Sequence, residues 1–255
     1  PDDNDGVLTI REAIAYVNGD ETPDTGDLAQ INGTPGVPGV VDQIVFADFE
    51  QDGVTPLFDA NGEALIELLV PYAPSSDAGL VIEASVETFD NPVGEVASTR
   101  LKFSGGRTAS GAGLSLQGGS LTLNEVELFD NGRPGTSGSG GGLLATSIAN
   151  DEHLTVIDSV FEQNYAGIGG GARVTGSGNI SFTGTTFENN ESVQQGGGLS
   201  LTHLNNTTGS DTTWSVDTSE FIGNLTQASG GGLFVVATGK SGSVTASTLV
   251  LNRAP

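Results

Sequence analysis

Residues 161–198 read FEQNYAGIGGGARVTGSGNISFTGTTFENNESVQQGGG. Two signals alternate in this stretch. An aromatic residue is followed three positions later by asparagine, at Phe161/Asn164 and Phe187/Asn190. A glycine triplet follows each pair, at Gly169 and at Gly196. Working outward, the same two signals recur in the same phase. Triplets also begin at Gly140 and Gly230, and a weaker copy, Gly111-Ala112-Gly113, precedes them. The starts are spaced by 29, 29, 27 and 34 residues. The apolar/asparagine pairs continue as Leu128/Asn131, Phe221/Asn224 and Leu249/Asn252. A fixed period of this length is the mark of a stacked-repeat architecture.

Each unit holds short β-prone runs: Leu114–Leu116, Leu121–Leu123, Leu154–Ile157, Ile180–Phe182, Trp214–Val216, Leu233–Val236 and Val244–Ala246. Apolar residues alternate there with Ser, Thr, Asn and Asp, the period of a half-buried strand. A unit of this size cannot bury its own apolar face, so it must stack on its neighbours. The repeat therefore predicts a right-handed parallel β-helix. Glycine supplies the positive φ that a sharp corner needs, and asparagine tolerates it. Asn131, Asn164, Asn190, Asn224 and Asn252 are expected to stack as a ladder of amides, and the Phe positions to stack inside the coil. The triple glycine implies backbone packed too closely for side chains. A flexible Gly/Ser linker would lack the phased Phe and Leu, and a β-sandwich with glycine-rich loops is the other alternative. Gly132–Ser139 and Leu204–Thr212 read as insertions protruding from one face, where binding specificity tends to reside.

Composition narrows the partners. There are 32 acidic residues against 8 basic ones, for a formal net charge of −24. That excludes nucleic acid, which needs clustered Lys and Arg, and disfavours anionic membrane surfaces. The absence of cysteine removes disulfides, thiol nucleophiles and thiolate metal sites. No run of about 20 apolar residues is present to span a bilayer. The chain begins at Pro1, without Met, and ends inside a repeat, so a longer parent protein is expected.

The first hundred residues differ. Ile10, Ala13, Ile14 and Val17 form a helical stripe, Thr9 and Glu12 a capping box, and Gly19 a stop. A short α-helix near 9–18 is predicted to cap the open end of the solenoid. Gln43–Phe49, Ala64–Val70, Leu80–Val86 and Thr99–Phe103 read as strands of irregular first coils. The expected organisation is one β-helix domain over 1–255. It divides into an N-terminal cap (1–41), irregular coils (42–110) and regular coils of 27–34 residues (111–255).

The segment Asp5-Gly6-Val7-Leu8-Thr9-Ile10-Arg11-Glu12-Ala13-Ile14, with Val17-Asn18 and Asp42-Gln43-Ile44-Val45-Phe46, resembles the "C-[ST]-L-R-E-A-I" module. That module heads many bacterial and archaeal surface β-helix proteins. The GGGL…F-x-x-N units resemble the repeats of polymorphic outer-membrane proteins and related adhesins. The module's frequent cysteine is missing, with Val7-Leu8 in that region. The resemblance implies an extracellular, cell-surface location and an adhesive or structural role, and it implies no catalytic residues. The partners it suggests are other surface proteins, copies of the same chain and glycans.

Candidate chemistry is sparse. Pro1–Glu12 aligns with the twelve-residue calcium loop, with Asp3, Asp5 and Glu12 as candidate ligands, Gly6 at the turn and Thr9 at the ninth position. Pro1 offers no side-chain oxygen at the first position, so Asp2 would have to substitute, and an acidic turn with a capping glutamate is the simpler reading. Calcium is the one cofactor considered. A polysaccharide lyase or hydrolase is the rival function, since β-helices often carry such sites, and a carbohydrate-binding module is the third. A hydrolase needs carboxylates converging on one face. Asp158, Glu188 and Glu220 sit at different offsets from their Phe and should not align. Among the arginines, only Arg173 lies in the middle of the clear repeats. His153 and His203 read as solvated surface residues, and Trp214 as core.

Overall fold

The structure, a computed structural model, describes strands 42–46, 63–67 and 80–84 and residues 100–107, 110–135, 137–204, 212–238 and 241–255. Four strands lead in: β1 (Asp42–Phe46), β2 (Glu63–Glu67), β3 (Leu80–Ala84) and β4 (Arg100–Ser104). A coil of three follows, β5 (Leu114–Gln117), β6 (Leu121–Asn124) and β7 (Val126–Phe129). The next runs β8 (Leu143–Ile148), β9 (His153–Ile157), β10 (Val160–Glu162) and β11 (Tyr165–Ile168). Then come β12 (Ala172–Gly176), β13 (Asn179–Thr183), β14 (Thr186–Glu188) and β15 (Glu191–Gln195). After them stand β16 (Leu199–Leu204), β17 (Trp214–Asp217), β18 (Glu220–Ile222) and β19 (Leu225–Thr226). The last coil holds β20 (Leu233–Thr238), β21 (Gly242–Thr245) and β22 (Thr248–Val250).

Every strand pairing is parallel and joins one coil to the next. One seven-stranded sheet runs β1-β3-β6-β9-β13-β17-β21 and a second β2-β4-β7-β10-β14-β18-β22. A five-stranded sheet runs β20-β16-β12-β8-β5 and a three-stranded one β11-β15-β19. The chain is thus a right-handed parallel β-helix of about five regular turns, with no helix among the described residues. The parallel ladders exclude a sandwich of hairpins. Leu114 pairs with Leu143, Leu143 with Ala172, Ala172 with Leu199 and Leu199 with Leu233. Those steps equal the spacings of the glycine starts, so the glycine period is the coil length. The lead-in strands join the same two large sheets, β3 on β6 and β4 on β7. The helix expected near 9–18 lies outside the described residues.

Three corners of each coil share one device, a residue in the left-handed region. Between the two large sheets it is Glu125, Asp158, Gly184, Thr218 or Ala246, with φ of 45–61°. Leaving the second large sheet it is Asp130, Gln163, Asn189, Gly223 or Leu251, with φ of 47–64°. Entering the five-stranded sheet it is the first glycine of each triplet: Gly111, Gly140, Gly169, Gly196 and Gly230. This refines the sequence reading. The ladder asparagines do not take positive φ; the residue just before each one does. Left-handed backbone costs an ordinary residue about 1–2 kcal/mol, so each corner needs a compensating bond beside it.

The core is a column inside the coils. Phe161, Phe187 and Phe221 occupy one register position and are fully buried. Their rings stack at 4.7 Å (Phe161–Phe187) and 4.8 Å (Phe187–Phe221), with planes within 12°. The coil rise of about 4.8 Å sets that spacing. Leu128 precedes the column, pairing with Phe161, and Leu249 follows it, pairing with Phe221.

Candidate functional site: ladders and outer faces

The amides of Asn131, Asn164, Asn190, Asn224 and Asn252 run parallel to the solenoid axis. The backbone N–H of Asn131, Asn164, Asn190 and Asn224 each donates to Oδ1 of the next asparagine, all at 3.0 Å. In Asn164, Asn190 and Asn224 the side-chain Nδ2 also donates to that oxygen, at 2.9–3.0 Å. The Nδ2 of Asn164 donates to the Leu128 carbonyl at 2.6 Å, that of Asn190 to Phe161 at 2.7 Å and that of Asn224 to Phe187 at 2.8 Å. Asn252 does the same to Phe221 at 2.7 Å. Only a primary amide offers two donors and an acceptor on one short arm, and this site uses all three. One coil earlier Gly106 stands in the asparagine position. Its N–H donates to Asn131 Oδ1 at 3.0 Å.

The corner between the two large sheets carries a second ladder, of hydroxyls, that the sequence reading missed. Ser159 Oγ accepts from Val126 N–H at 3.1 Å, Ser219 Oγ from Thr185 N–H at 3.2 Å and Ser247 Oγ from Ser219 N–H at 3.1 Å. Each serine hydroxyl in turn donates to a carbonyl two residues back, at 2.7–2.8 Å. The signal was present: a Ser or Thr stands two residues before the Phe or Leu in four of five units, with Val126 as the exception. Two of the three left-handed corners are therefore followed by a polar side chain bonded along the axis, an amide at one and, except at Val126, a hydroxyl at the other.

The outer faces hold the charges. Glu188 aligns with Glu162 and Ile222, and Glu220 with Thr186, while Asp158 sits at a corner. The three carboxylates weighed for a hydrolase thus occupy three different positions. Glu162 and Glu188 are instead neighbours in register. Gln163 Nε2 donates to Glu162 at 2.8 Å and Asn189 Nδ2 to Glu188 at 3.3 Å. Lys102 and Glu127, also neighbours in register, form a 2.7 Å ion pair with side chains 18% and 5% exposed. The Lys102 ammonium lies 3.9 Å from the Phe129 ring centre, which adds a cation–π attraction. Arg107 and Asp130 make an exposed pair at 2.6 Å.

His203 corrects the sequence reading. It points inward from β16, is fully buried, and its Nε2 lies 3.0 Å from the Gly178 carbonyl. Its neighbours Leu201 and Leu199 set the inward alternation that carries it into the coil. Trp214 packs partly buried against the core, and its indole lies where a Cβ on Gly242 would be. The candidate calcium ligands Asp3, Asp5 and Glu12 lie outside the described residues. Among the described residues no group of three or more His, Asp or Glu is placed to hold a metal ion. No helix there is long and apolar enough to cross a membrane.

The fold and the two ladders define a stacked parallel β-solenoid. Compared with protein-family models, curated proteins and solved structures, the chain matches none.

Proposed function

We propose that this chain is an extracellular, cell-surface β-helix scaffold. It presents its sheet faces for adhesion or joins with copies of itself in a surface fibre. The observation that carries this reading is the use made of the inward and corner positions: Phe stack, amide ladder, hydroxyl ladder and close-packed glycines all build coils. The resemblance of residues 5–18 to the N-terminal cap module of surface β-helix proteins supports the same reading. The net charge of −24 suits a solvated exterior.

A carbohydrate-active enzyme or carbohydrate-binding module is the second reading, favoured by the in-register Glu162–Glu188 pair. One pair of measurements separates them. Intact cells that make the protein are treated with an antibody to this chain, and the purified chain is incubated with a panel of polysaccharides. Surface labelling with no rise in reducing ends or unsaturated products is expected. Depolymerisation of any glycan overturns the scaffold reading, and so does labelling that requires cell lysis.

A further inference from the structure

Arg173 is the arginine in the middle of the regular coils. On β12 it lies between the fully buried Ala172 and Val174, so it points outward from the five-stranded sheet. Among the described residues its side chain makes one hydrogen bond, from Nη1 to Ser139 Oγ at 2.5 Å. It makes no ion pair with any described residue, although the chain carries 32 acidic residues. Lys102 and Arg107, by contrast, are both matched with carboxylates.

The face around it is equally unusual. Along its register row stand Ser115, Leu144, Arg173, Ser200 and Phe234. Two residues further along, Gln117 pairs with Thr146 and, past a register shift between β8 and β12, Thr175 pairs with Thr202 and Thr202 with Val236. None of these positions is acidic, whereas the second large sheet carries Glu127, Glu162, Glu188 and Glu220 and the three-stranded sheet Glu191. Ser200 is only 2% exposed despite facing outward, so the side chains around it form a covered strip. At physiological salt, charge is screened within about 8 Å, so a bound anion at Arg173 meets the guanidinium before the distant carboxylates. A planar guanidinium with most of its N–H donors unused matches a carboxylate in a two-bond fork. Phe234, two coil rises away (about 10 Å), offers a ring for a sugar face, and the threonine row offers partners for sugar hydroxyls.

We propose that the outer face of the five-stranded sheet binds an acidic glycan, with Arg173 gripping a uronate carboxylate and Phe234 stacking on the sugar chain. This rests on the adhesive reading and names its ligand class. The test is binding of the whole chain to immobilised polyuronate, a neutral polysaccharide of equal length and a sulfated one. Polyuronate should bind in preference to both. R173Q should weaken that binding tenfold or more, R173K by an intermediate amount because the charge survives and the fork does not, and F234A about three- to tenfold. Unchanged melting temperature in R173K and R173Q separates loss of the anchor from loss of fold. Absence of polyuronate binding, preference for the sulfated or neutral chain, or binding indifferent to Arg173 would overturn the proposal. Glycan binding elsewhere on the molecule leaves the adhesive reading standing, whereas cleavage of the bound glycan removes that reading instead.

Discussion

Asn190 takes part in four side-chain hydrogen bonds, all buried: two accepted from Asn164 and two donated, to Phe161 and Asn224. Truncation to alanine leaves Phe161 O and the Asn164 N–H groups short of partners in a dry corner. Orphaned buried groups cost about 1–3 kcal/mol each, with some relaxation, so Asn190→Ala should lose about 2–4 kcal/mol in urea unfolding. Asn190→Asp is the sharper probe. The introduced carboxyl must face the Phe161 carbonyl and Asn224 Oδ1, both acceptors, and can donate only when protonated. Its folded-state pKa is therefore raised above the unfolded value of about 3.9, and the folded form binds more protons. Stability relative to wild type should be best below pH 4 and should fall as pH rises through that pKa. A variant that gains stability towards pH 7 contradicts the ladder account. Lys102 gives a second residue-level expectation. Glu127 is nearly buried, so Lys102→Ala strands its carboxylate and should cost about 2–3 kcal/mol, a little below the loss for a fully buried pair. Replacing both, as Lys102→Met with Glu127→Leu, should recover most of that in the same urea titration.

At the scale of the element, the glycine triplet shows why one spacing could be read so far. In the triplet starting at Gly169, only the first glycine has positive φ. A Cβ on Gly170 would strike the carbonyls of Glu191 and Gly197, and one on Gly171 would sit 2.6 Å from the Gly198 carbonyl. Those carbonyls belong to the next coil, and those of Gly197 and Gly198 accept from the N–H groups of Gly171 and Ala172, so they cannot retreat. Gly170→Ala should therefore cost more than 3 kcal/mol or abolish folding. Gly135→Ala is the control: φ is 85° but nothing lies within 4 Å, so only the backbone cost of about 1 kcal/mol applies. Thermal melts of the two variants check the contrast. The same physics sets what the sequence could reveal. Where a corner position keeps one residue type through all five coils, as at Gly171 and Asn190, the period is legible as coil length and as a line of amides. Where the fold constrains φ alone, Glu125, Asp158, Thr218 and Ala246 all serve, and no pattern marks the corner. The hydroxyl ladder lay between these cases, because serine and threonine are common everywhere in this chain. His203 was misread because its loop-edge position hid the inward alternation of Leu199 and Leu201. Arg173 stands out in the sequence as the arginine in the middle of the clear repeats, but its lack of a carboxylate among the described residues depends on which residues become neighbours across coils about 30 positions apart.

For the molecule as a whole, stability should vary along the axis, because each coil touches only the coils beside it. The inward positions of successive coils test this directly. Leu199, Leu201, Val216 and Phe221 in the coil of β16–β18 are fully buried. Their register partners in the last coil are Leu233, Val235, Val244 and Leu249, of which Val244 is 42% and Leu249 53% exposed. In the 255-residue chain the coil of β20–β22 packs on described residues from one side only, and its apolar burial there is roughly halved. It keeps its parallel backbone bonds to β16, β17 and β18, so it stays formed while gaining less from the core. Local opening should cost least there and most in the coil of β12–β15, which has ordered coils on both sides. Amide hydrogen exchange read by mass spectrometry should show protection rising from β20–β22 through β16–β19 to β12–β15. Adding the Phe187→Ala cavity should lower protection in the coils of β10 and β18, which stack on it, before it reaches β5. Uniform protection from β5 to β22, lost everywhere at once in the variant, would mean that the solenoid opens as a single cooperative unit rather than coil by coil.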